Sequence, residues 1–186
     1  MIEMNDKIFQ FIFKMAFNDA TMRKAFPKRP DESELSSIKQ KIQSQVEDYI
    51  RGYLNNIIDG KINSNETSNI IIKVDEAGKD ADERFSFGNA QKLVNMSAKY
   101  LYIVTYGNEE LRNNFRYCHC PMDSVMIEKA MEYDINGDLR RNISWSQLSS
   151  EKGEIPQEYN IFQNIIKEQA NELGCFPLEM DYILFG

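Results

Sequence analysis

Residues 89–106 constrain this chain more than any other stretch. Leu93, Val94, Met96, Ala98, Tyr100, Leu101, Ile103 and Val104 leave that segment apolar nearly all round. A surface helix carries one apolar stripe, so a helix apolar on every side belongs inside a core, with other elements packed around it. Gly107-Asn108 supplies its stop. With 186 residues the chain is long enough for one domain with a full core, and its 42% hydrophobic and 27% charged residues are ordinary for a globular protein.

The candidate wrapping elements are helical. Residues 5–26 place Ile8, Phe9, Ile12, Phe13, Met15, Ala16 and Phe17 on a wide stripe that ends before Pro27 and Pro30. Asp31, with Glu34 three residues on, has the pattern of a capping box. From there Leu35, Ile38, Ile42, Val46, Tyr49, Tyr53 and Ile57 recur at threes and fours up to Asp59-Gly60. This N-terminal pair, residues 1–60, reads as scaffold without chemistry. Residues 61–68 read as a polar loop, residues 69–74 as a short β-branched strand, and residues 75–84 as a solvated loop or short helix. Residues 109–117 form a short helix or turn. Asp123 caps a helix that buries Val125, Met126, Ile127 and Ala130 and ends near Tyr133. The Asp134–Asp138 stretch reads as a turn rather than a calcium loop, and residues 144–148, around the single Trp145, as a connection. Pro156 opens a helix marked by Ile161, Phe162, Ile165, Ile166 and Ala170, which Gly174 closes. Residues 176–186 form a short apolar helix in which one turn brings Asp181 and Phe185 to the same face. The expectation is an all-α, single-domain fold of six to eight helices, with residues 87–130 as its centre and residues 156–186 as its C-terminal helices.

Composition restricts function. No run of about 18 apolar residues is present, so no membrane span is expected. The N-terminus lacks the basic flank and cleavage site of a signal peptide, which points to the cytoplasm. Cys118, Cys120 and Cys175 are an odd count without framework spacing. In extended chain Cys118 and Cys120 flank His119 from the opposite face, and His119 is the only histidine. They are read as packing residues, with no metal and no cofactor. The net charge of −7 opposes tight nonspecific nucleic-acid binding. That charge is uneven: residues 1–60 hold nine basic and nine acidic side chains, whereas residues 146–186 hold two basic and seven acidic. No basic groove is visible.

Chemistry is most legible in residues 87–130. A glycine turn at Gly88 leads into a helix whose first turn carries Lys92. Downstream, Pro121-Met122-Asp123 sets a carboxylate at another helix start. Helix N-termini attract anions, and an amine beside a carboxylate there can support covalent amine catalysis. The plainer alternative is two core helices with one N-cap and one surface lysine.

Three pieces in the same order, covering about half the chain, resemble the helix–hairpin–helix DNA glycosylase superfamily, most nearly the archaeal 8-oxoguanine DNA glycosylase family. Gly88-Asn89-Ala90-Gln91-Lys92 is similar to the hairpin and lysine-bearing helix. Pro121-Met122-Asp123-Ser124-Val125 looks like the Pro-x-Asp helix start. The segment from Pro177 to Gly186 resembles the C-terminal piece, where an aspartate and a tryptophan line the base pocket. The resemblance implies a glycosylase and abasic-site lyase acting on DNA with an oxidised purine. Lys92 would attack the sugar C1′ of a flipped nucleotide and form a Schiff base, with Asp123 stabilising the cationic sugar and handling protons. Asp181 would accept from the base edge, and Phe185 would stand where the family has tryptophan. Amides of Gly88, Asn89 and Ala90 would hold a backbone phosphate. The acidic balance supports a second expectation on the same fold: a non-catalytic interaction protein, such as a phage- or plasmid-encoded inhibitor or accessory factor, docking on a basic nucleic-acid-handling partner.

Overall fold

The computed structural model describes residues 4–140, 142–151 and 153–185, without the side chain of Phe185. Its eight α-helices are α1 (Asp6–Ala20), α2 (Glu32–Ile58), α3 (Glu66–Ala81), α4 (Phe87–Val104), α5 (Glu109–Arg112), α6 (Ser124–Tyr133), α7 (Gln157–Leu173) and α8 (Met180–Phe185). Among the described residues there is no strand, and no helix is long and apolar enough to cross a membrane.

The all-round apolar segment is α4, and every residue from Phe87 to Ala98 is buried. α1 and α3 pack along it, and α2 packs mainly on α3. The edge-on contact of Phe87 with Tyr159, ring centres 5.2 Å apart, joins α4 to α7. Each large side chain fully buried this way contributes about 1.5–3 kcal/mol, so wrapping α4 is the main source of stability. α2 runs about 40 Å and buries Ile38, Ile42, Val46, Ile50, Tyr53, Leu54 and Ile57.

Three local expectations are corrected. Residues 69–74 are not a strand but the middle of α3. Thr67, Ile70, Ile71, Val74, Asp75 and Gly78 recur with helical period and bury one face, and that periodicity outweighs the β-branched propensity. Gly78 is part of that fit, because a Cβ there would lie 2.2 Å from the Phe85 ring. The first helix also stops at Ala20, followed by a 3₁₀ turn at Arg23–Ala25. The Asn89 side-chain amide takes the Ala20 and Ala25 carbonyls, at 2.7 and 3.1 Å, which a continuous helix would keep for itself. The Asp31–Glu34 side-chain box does not form, and Glu34 instead pairs with Arg84 at 3.2 Å.

Candidate active site

Lys92 and Asp123, 31 residues apart in sequence, meet at the wall of one cleft. Lys92 Nζ donates to Asp123 Oδ2 at 2.9 Å. Asp123 also caps α6, its Oδ1 accepting from the Met126 amide at 3.0 Å. A single carboxylate therefore holds a helix end with one oxygen and an amine with the other. The cleft measures about 410 Å³ and is lined by Met22, Lys24, Arg29, Lys92, Asp123, Ser124, Val125, Ser144, Trp145 and Ser146. Lys92 Nζ lies 5.0 Å from the centre of the Trp145 ring. Val125, expected in the core, is instead 41% exposed on the cleft wall.

The irregular segment before Asp123 is held by side chains in place of a sheet. Gln91 Nε2 donates to the Met122 carbonyl at 2.8 Å, and the Met122 amide donates to Gln91 Oε1 at 3.1 Å. Gln163 does the same for Cys120, at 2.7 Å to its carbonyl and 3.2 Å from its amide. Buried backbone polar groups without partners would cost roughly 1–3 kcal/mol each, so these two glutamines fix the strap that ends in Asp123. Cys118 and Cys120 are fully buried in the core. Burial raises the Cys118 thiol to about 12 and the Cys120 thiol well above its ordinary value. His119 contacts the Tyr159 hydroxyl through Nδ1 at 3.0 Å. Burial, then the Lys167 charge, lowers its pKa to about 4.

The glycine segment plays a different part from the one the resemblance implies. Gly88 is not in a turn; it is the second residue of α4. A Cβ there would lie 1.9 Å from the Trp145 carbonyl oxygen, so glycine is required for the Trp145 turn to rest on α4. The Gly88, Asn89 and Ala90 amides donate to the Leu148 carbonyl, Ser86 Oγ and the Ser86 carbonyl, at 3.3, 3.2 and 3.0 Å. All three residues are buried. These amides are spent inside the chain, which corrects their expected role as phosphate donors.

Asp181 is not in the cleft. It is 3% exposed and paired with Lys99, two turns further along α4, beneath the Tyr182 ring. Burial raises its pKa despite the opposing pull of Lys99. The Phe185 backbone closes α8, and its side chain lies outside the described residues.

Sequence reasoning missed Gln91, Gln163, Trp145, Lys24 and Arg29. Gln91 carried a signal, because an amide on an otherwise apolar helix has to find buried partners. The run from Arg23 to Arg29 has four basic residues and no acid, a local balance hidden by the even count over residues 1–60. Compared with known proteins, the chain matches no family model, no curated protein and no solved structure.

Proposed function

We propose that the cleft is the site of a DNA glycosylase and abasic-site lyase that works through Lys92. The observation that carries this reading is the 2.9 Å approach of an amine to a carboxylate on the wall of a cleft that also gathers two further cations and an aromatic face. Those are the groups that a sugar–phosphate chain and a flipped base call for: cations for phosphate and a ring for stacking. The site remains open to a strand although the chain as a whole is acidic.

The steps follow from the pair. The Lys92 ammonium gives a proton to Asp123 and becomes nucleophilic. Its nitrogen bonds to C1′ as the bond from C1′ to the base breaks, and the base departs with the bonding electrons and the proton from Asp123. The proton shed by the attacking nitrogen passes to O4′ as the C1′–O4′ bond opens, leaving a protonated imine. The Asp123 carboxylate, free again once the base has left with its proton, faces the cationic intermediate and stabilises it. It then takes a C2′ proton, and the released electrons expel the 3′ phosphate.

Borohydride reduction tests this reading. Folded wild-type protein incubated with a duplex containing 8-oxoguanine or an abasic site is expected to give a covalent protein–DNA band, and Lys92→Gln none. Absence of the band with both substrates contradicts it.

A second reading, a non-catalytic interaction protein, rests on a different observation. Tyr102, Ile103, Tyr106, Cys175, Tyr182 and Ile183 line a groove of about 550 Å³ at the far end of α4, with Tyr106 80% exposed. Exposed apolar surface of this kind commonly marks protein contact. This reading predicts that Lys92→Gln leaves the protein's effect in cells intact while Tyr106→Glu abolishes it.

A further inference from the structure

We infer that the turn between α1 and α2 is a phosphate clamp that seats a DNA strand over the cleft; this rests on the nucleic-acid reading of the site. Lys24 and Arg29 both line the cleft, and both are exposed. Among the described residues neither has an ion-pair partner. No ion pair therefore accounts for either cation on a protein of net charge −7.

The turn that carries them is built to keep its shape. Asn89 reaches out of α4 to take the Ala20 and Ala25 carbonyls. Arg23 closes the turn from its other side, its Nε donating to the Pro30 carbonyl at 3.0 Å. Ala25 and Phe26 are buried beneath it. A turn whose backbone is already fixed loses less freedom on binding than a flexible one, which is the advantage of anchoring the loop rather than merely charging it. The segment expected to grip phosphate therefore does so at one remove, through Asn89, while Lys24 and Arg29 make the contacts.

The ligand chemistry is specific. Lys24 and Arg29, two cations in one lining, suit the phosphates of a strand. The Trp145 ring in the same lining suits a base or an exposed sugar, and Ser124, Ser144 and Ser146 suit a polar backbone. An acidic peptide would satisfy the cations and leave the ring unused.

Trp145 is the only tryptophan in the chain, so its fluorescence reports this cleft alone. The probe is a duplex carrying a tetrahydrofuran abasic analogue, which lacks the C1′ leaving group and isolates binding from chemistry. Titration is expected to quench Trp145, and Lys24→Ala/Arg29→Ala is expected to weaken binding at least about tenfold. Loss of two phosphate contacts should also reduce the slope of log K against log salt by about 1.8. No quench, an unchanged slope in the double variant, or equal quench by polyglutamate would overturn the clamp. Both side chains are exposed, so their removal leaves the core intact, and circular dichroism checks this. Clamp-dependent binding without a borohydride adduct would uphold the clamp and sink the lysine chemistry. An adduct that forms equally well in the double variant would do the reverse.

Discussion

Helix α4 carries two lysine–aspartate pairs seven residues apart, on nearly the same face and about 10 Å apart along the axis. They differ in what surrounds them. Asp123 is 22% exposed, gives one oxygen to a helix cap and the other to Lys92, and faces an open cleft. Asp181 is 3% exposed and paired with Lys99 under the Tyr182 ring. On the proposed reading the first pair exchanges its partner for a substrate, with cations and a ring already lining the cleft around it. The second has no room for one, and it ties α8 to α4. On the proposed reading, identical lysine–aspartate pairs on one helix divide into chemistry and architecture according to access.

The division can be broken most severely at Lys99. Lys99→Met leaves the Asp181 carboxylate buried without its partner, and we expect a loss of about 3 kcal/mol in urea unfolding. The trapped adduct per folded molecule should not change; if it falls in step with a Lys92 variant, the two pairs are not distinct. Asp123→Asn shifts the weight to chemistry. The amide oxygen can still cap α6, but the buried Lys92 ammonium loses its carboxylate, so we expect a loss of about 1–2 kcal/mol while single-turnover base release falls about 10²-fold. Gly88→Ala sharpens the comparison from the support side. The added methyl meets the Trp145 carbonyl, and overpacking of this kind costs about 2 kcal/mol. It should also shift Trp145 emission, with no counterpart at the Lys99 pair.

The smallest effect is pH-dependent and belongs to the strap before Asp123. Unfolded His119 takes up a proton near pH 6.5, whereas the folded protein resists until about pH 4. The unfolded state therefore binds more protons in that window, and stability falls as pH drops from 6.5 towards 4. At pH 5 the loss relative to neutral pH should be about 1 kcal/mol after discounting for the partly exposed ring, and His119→Gln should remove it. A wild-type profile that matches the variant would show that His119 does not resist protonation.

Much of the helical frame was legible because periodicity reports burial. The α4 segment, the α2 stripe, the Asp123 cap and the Pro156 and Gly174 ends of α7 all follow from spacing and cap chemistry. The 69–74 strand went wrong because three isoleucines and a valine look β-prone, and only the wider period reveals the helix. The Lys92 and Asp123 candidates were visible as residue types at helix starts, but sequence cannot say that they touch. Gly88 was legible as special and misassigned in kind: its missing Cβ makes room for the Trp145 carbonyl. Lys24 and Arg29 sit in a local basic run, but the turn that holds them is anchored by a buried asparagine 64 residues downstream, and that anchor leaves no local pattern.

The most direct measurement locates the adduct. Protein trapped on an abasic duplex with borohydride is digested, and the peptide that retains the reduced sugar is sequenced by mass spectrometry. The account predicts that Lys92 carries it, with Lys99 unmodified. An adduct on Lys99, on Lys24, or on no lysine of the folded protein would contradict it.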